Sequence, residues 1–164
     1  MQAKDLTQEY MKPTVDFIGK YADLVLDEKI KAGLTKMVSN FDTAWKGAKE
    51  DDEKKAYLNI IYVTNARSIA ANLVENDALT DEVLAELRAL PSKEDAHAII
   101  KPYLDEQEAI RDELMQKQMK FAEHNNEIEV LKGIAFGDNP TKARKGVEEQ
   151  NRKAAEAVQQ AMKQ

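Results

Sequence analysis

The sequence predicts an all-α protein: an elongated antiparallel bundle of three long, partly broken helices plus a fourth C-terminal helix. Three observations carry that expectation. Glu, Lys, Ala, Gln, Leu and Met dominate the composition, and these residues lose little freedom in a helix. Glycine and proline number only six and four in 164 residues, too few for the turns of a β-sandwich or barrel. Apolar residues recur at three- and four-residue intervals nearly throughout, the period of a helix with a buried face.

In the first segment Phe17, Tyr21 and Leu24/Val25 form one apolar stripe, and Ile30, Leu34, Met37/Val38, Phe41 and Trp45 form another. The stripes differ in phase across Asp27-Glu28, so either one helix rotates its buried face there or the chain breaks with Asp27 as a cap. Pro13 suits a helix's first turn better than its interior, which makes residues 4–11 a separate turn or helix. Residues 47–52 read as a turn, and the next helix starts at Asp51 or Asp52 with acidic groups facing its dipole. Leu58, Ile61/Tyr62, Asn65/Ala66, Ile69 and Leu73 form its main stripe, widened by Tyr57, Ile60, Val63 and Val74. A helix apolar around most of its girth is buried on more than one side, so this is the expected central helix.

It should stop near Glu75-Asn76-Asp77. A short helix follows, capped by Thr80 and ended by Pro91, and Ser92 with Asp95 then resembles a capping box. The next helix carries Ile99/Ile100, Tyr103/Leu104, Gln107, Ile110, Leu114, Gln118, Phe121, Ile128 and Leu131, with a Met115–Met119–Ala122 strip beside them. Pro102 should kink or restart it. Gly133 before Ile134 fits a glycine-terminated end, 136–138 a loop, and Asn139-Pro140 a cap followed by a first-turn proline. The last helix is thin in apolar groups. Segments 6–48, 52–90 and 92–132 are each about forty residues long, and short turns between them imply antiparallel neighbours. One domain is expected, with 1–137 as bundle core and 138–164 as a peripheral or interface-forming helix.

Composition also excludes chemistry. Without cysteine there is no disulfide scaffold, thiolate zinc site, iron–sulfur cluster or thiol nucleophile. The first residues resemble no signal peptide, and the least charged stretch, 56–74, is too polar to span a membrane. No membrane association is expected, and the location expected is cytoplasmic. A net charge of −6 disfavours nucleic acid as a partner. The charge is uneven: 140–164 carries +3 and the remainder −9.

Glu94 and His97 have the Glu-x-x-His spacing that puts two metal ligands on one helix face, but diiron bundles use that motif twice and it occurs once here. His124 offers only the reverse order. Neither a Gly-x-Ser-x-Gly elbow nor a glycine-rich phosphate loop is present. No cofactor is expected. Asn59, Asn65, Arg67 and Asn72 interrupt the central helix; they either bond neighbouring helices or line a cleft for a ligand or another chain. Methionines and aromatics at helical spacing, such as Met37, Phe41, Trp45, Met115, Met119 and Phe121, read as core or as an adaptable groove.

The function expected is non-catalytic: protein–protein interaction, as an adaptor or structural subunit, through helix faces that meet another protein or a second protomer. Val147, Ala154, Val158 and Met162, with Arg144 and Arg152, are the candidate contact residues. The alternative is a small-ligand- or metal-binding bundle using Glu94, His97 or the central-helix amides. A third reading, an enzyme built from Asp, Glu, Tyr and Arg alone, requires a concave pocket gathering several of them.

Overall fold

A computed structural model describes residues 1–163. The protein is all-α: α1 (Gln8–Tyr21), α2 (Glu28–Ala48), α3 (Asp52–Glu75), α4 (Asp81–Arg88), α5 (Lys93–Ala135) and α6 (Pro140–Met162), with 3-10 turns at Ala3–Asp5 and Ala22–Leu24. No strand occurs among the described residues. Its contacts form two compact units that meet within α5, one covering Met1–Glu106 and one beginning at Gln107.

Most helix starts are capped by the expected side chains. Asp27, Asp51, Thr80 and Asn139 each accept from backbone N–H groups of the first turn, satisfying donors that the helix itself leaves orphaned. Ser92 and Asp95 form the reciprocal box, with Asp95 N–H donating to Ser92 Oγ at 3.0 Å and Ser92 N–H to Asp95 Oδ2 at 3.3 Å.

In the unit Met1–Glu106, α1, α2 and α3 pack on one another, and α4 and the N-terminal turn pack on α3. Met11, Ile18, Val25, Val63, Ile69, Leu73 and Ile100 are fully enclosed. α3 buries Ala56, Tyr62, Val63, Ala66, Ile69, Ala70 and Leu73, which span more than one face, as its uncharged girth requires. It ends where Asp77 takes a left-handed conformation (φ 54°). Ala78 N–H then donates to Leu73 C=O at 2.8 Å, closing the last turn.

Of the two readings of segment 6–48, the break is the one observed: the chain leaves the helix at Ala22–Leu24, and α2 restarts on the Asp27 cap. Three other sequence expectations are corrected. Pro13 sits inside α1, not in its first turn, because Thr7 caps the helix by accepting from Tyr10 N–H. The proline is exposed, so the carbonyl it leaves without a donor faces water, while Met11, Thr14, Val15, Phe17 and Ile18 anchor the other side. Pro102 does not restart α5, which stays helical from Lys93 to Ala135, and Pro102 is likewise exposed.

The third correction concerns Gly133, which does not end α5. Gly137 does, at φ 98°, with Gly137 N–H donating to Ile134 C=O and Asp138 N–H to Gly133 C=O. That pair of bonds is a Schellman closure. Gly133 serves a different need: a Cβ there would stand 3.0 Å from the Ala143 Cβ. The glycine lets α6 come down against α5.

Candidate interaction surface

Beyond Glu106 the protein is a helical hairpin, α5 turning through Gly137 into α6. It is tied near the turn. Gly133 abuts Ala143, Arg144 Nη1 reaches Glu127 Oε1 at 3.3 Å, and Asn151 Nδ2 donates to Asn126 Oδ1 at 3.1 Å. These contacts fix an antiparallel register in which residue 151 stands level with 126. Carried forward, that register places Val158 level with Met119, and Met162 with Met115.

Burial falls away along the same direction. In this unit only Val130 and Ala143 are buried among the described residues. Met115, Met119, Val158 and Met162 are 51, 59, 60 and 82 % exposed, and on α5 Leu114 and Phe121 are 55 and 67 % exposed. Isolated exposed apolar residues are ordinary, but a contiguous set is not.

The set is contiguous. At 100° per residue, every charged position of α5 between 114 and 128 (Lys117, Lys120, Glu123, Glu127, with His124) falls on one side of the helix. Leu114, Met115, Gln118, Met119, Phe121, Ala122, Asn125, Asn126 and Ile128 cover the other side, about half the circumference. α6 is divided in the same way. Val147, Gln150, Asn151, Ala154, Ala157, Val158, Ala161 and Met162 lie opposite Glu148, Glu149, Arg152, Lys153 and Glu156. One neighbouring helix covers an arc of roughly 100°. Half a circumference therefore calls for two neighbours, and α6 supplies one.

Compared with known proteins, the chain gives no significant match to a family model, a curated protein or a solved structure.

The residues expected to make contacts lie as follows. Val147 is half-buried, and Ala154, Val158 and Met162 are exposed on α6. Arg144 pairs with Glu127 across the hairpin, whereas Arg152 pairs with Glu156 of its own helix at 3.8 Å. Missing from that set are the α5 residues Leu114, Gln118 and Phe121, which spacing alone cannot tell from core. The signal that could have found them is the width of the uncharged side: two apolar strips joined by amides exceed what a single partner buries.

The central-helix amides are occupied locally. Asn65 donates to Ile61 C=O and Asn72 to Ser68 C=O, each one turn back on α3. Arg67 donates to Pro91, Leu90 and Leu87 carbonyls, holding the end of α4 against α3. Asn59 is buried, with its Nδ2 lacking a partner. Glu94 and His97 are exposed near the start of α5, and no group of three or more metal-ligating side chains occurs among the described residues.

Three open grooves mark the described residues of the first unit. One of about 430 Å³ runs between α1 and α2 over Val15, Val38 and Phe41. A second, about 290 Å³, lies between the N-terminal turn and the start of α5. The third, about 250 Å³, lies between α1 and α4. At its rim Lys20 Nζ and Tyr21 OH both donate to Glu86 Oε1, at 2.5 and 2.8 Å. The hydrogen bond from Lys20, then that from Tyr21, holds the Glu86 carboxyl below the usual carboxylate range, and the same bond to Glu86 raises Lys20. Both groups are committed to each other, and the pair fastens α4 to α1. No helix among the described residues is long and apolar enough to cross a membrane.

Proposed function

We infer that this protein is a non-catalytic interaction subunit and that the α5–α6 hairpin is its binding element. One observation carries the reading: an uncharged half of α5 remains exposed from Leu114 to Asn125, and only Asn126 and Ile128, nearer the turn, are half-buried. A second chain that covers it removes several large apolar side chains from water, each worth about 1.5–3 kcal/mol when fully buried. The amides Gln118 and Asn125 within the face give direction to such a contact, because only a correctly registered partner can pair them. A cytoplasmic setting belongs to the same reading, supported by the lack of cysteine and of a membrane-crossing helix among the described residues.

The test is photo-crosslinking in the host cell. A benzophenone side chain in place of Phe121 should form adducts with protein, whereas the same group in place of Asp23, exposed in the first unit, should not. If position 121 yields no adduct with protein, the hairpin is not a protein-binding element.

A further inference from the structure

We propose that Met115, Met119 and Met162 form an oxidation-sensitive patch, whose conversion to sulfoxides by a peroxide turns the open end of the hairpin polar and releases the protein it holds. The proposal rests on the interaction reading above and adds its regulation.

Placement is the first argument. The chain has six methionines. Met11 is fully enclosed in the first unit, Met37 packs half-buried against the same core, and Met1 is exposed at the N-terminus. The other three lie at the open end of the hairpin, and each is more than half exposed. On α5, Met115 and Met119 stand one turn apart. Steps of three, four and seven residues carry their stripe on through Ala122 and Asn126 to Gly133. Asn126 bonds Asn151 and Gly133 abuts Ala143, so this stripe is the side of α5 turned toward α6. The same register brings Met162 level with Met115. Three thioethers thus border one mouth, within reach of solvent.

The second argument is chemical. Hydrogen peroxide oxidises a thioether wherever it can reach the sulfur. The O–O bond breaks, one oxygen bonds to sulfur, the other leaves as water, and sulfur gives up the two electrons that the peroxide takes. The sulfoxide oxygen then requires a hydrogen-bond donor. The neighbouring positions on the stripe and across it, Ala122, Ala154 and Val158, have no side-chain donor. Beneath a partner, each sulfoxide therefore weakens the contact by about tenfold or more, the scale of an unpaired polar group taken from water. In the uncovered hairpin the oxygen meets water instead, and the helices persist. A bound partner also shields the sulfurs, so oxidation strikes the free hairpin and keeps it free. Repair runs through thiols of a methionine sulfoxide reductase, which return two electrons, release the oxygen as water and end as a disulfide.

The full chain carrying benzophenone in place of Phe121 tests this. It is treated with hydrogen peroxide, freed of it, and irradiated in host extract. Peptide mass mapping should show Met115, Met119 and Met162 oxidised on the order of tenfold or more faster than Met11. Protein adducts at position 121 should fall by about tenfold or more while helical content stays unchanged. Met115→Leu with Met119→Leu and Met162→Leu keeps apolar cover of similar volume, so it should hold its adducts through the same treatment. Reductase should restore the adducts of the oxidised methionine chain, and that recovery decides the matter if the leucine variant binds poorly from the start. Hairpin methionines that react no faster than Met11, undiminished adducts after oxidation, or an equal loss in the leucine variant overturns the proposal. The two readings fail separately. Undiminished adducts remove the switch and keep the interaction role, whereas no protein adduct before oxidation removes both.

Discussion

α3 and the part of α5 beyond Glu106 are helices of similar length, and both set apolar and amide side chains around a wide arc. Their surroundings differ. α3 lies among α1, α2, α4 and the N-terminal turn, and it buries Tyr62, Val63, Ala66, Ile69 and Leu73, with most of its amides bonded within the helix. The outer stretch of α5 has one neighbour, held only near the turn, and keeps Leu114 and Phe121 in solvent. Composition thus prepares a helix to be enclosed, but the number of neighbours decides whether it is.

The largest expected effect tests that contrast directly. Ile69→Ala on α3 should cost about 2–5 kcal/mol of stability, since a fully enclosed side chain leaves a cavity behind it. Phe121→Ala on α5, compared under conditions where the chain is monomeric, should stay within about 0.5 kcal/mol of wild type, as surface changes do. Denaturant unfolding of the two variants side by side measures the difference, and equal losses would erase it. Arg67→Met comes next. Removing a guanidinium that serves three carbonyls at the end of α4 should cost about 1.5–3 kcal/mol, the scale of hydrogen bonds to a charged group. Loss of protection in α4 by hydrogen exchange, ahead of α3, would locate the damage.

The smallest effect is a pH dependence in the first unit. Because Glu86 titrates below its ordinary range, its contribution to stability is present above that range and fades as pH falls through the lowered value. Lys20 is raised, so its share is present below the usual lysine range and fades as pH rises beyond it. Glu86→Gln should flatten the acid side of the melting profile and leave the hairpin's exchange rates untouched. An unchanged acid limb would show that the cluster fastens nothing.

Much of this was readable from residues alone. Caps at Asp27, Asp51, Thr80, Ser92 and Asn139 work through a side chain and backbone only three residues away, so spacing suffices to see them. The buried character of α3 follows from its missing charges. Proline was less informative: at Pro13 and Pro102 the penalty falls on solvent-facing carbonyls, and packing of the opposite face outweighs it. Gly133 misleads because a glycine that permits close approach and one that ends a helix look alike until the neighbour is known. The division of contacts after Glu106 has no local signature, since α5 runs through it without a break. For the candidate site, α6 was recognisable by its thin apolar face. The α5 face was hidden, because Leu114 and Phe121 carry the same spacing as residues at the centre of a core.

The contact of Gly133 with Ala143 has a mechanical consequence. Rods clamped together at one end open most easily at the other, so the amplitude of their separation grows with distance from the clamp. At the root the jaw is stiff, while at Met115 and Met162 it can widen or close on what enters with little work against the backbone. A single missing methyl group at position 133 thereby sets the pivot of a pair of tongs.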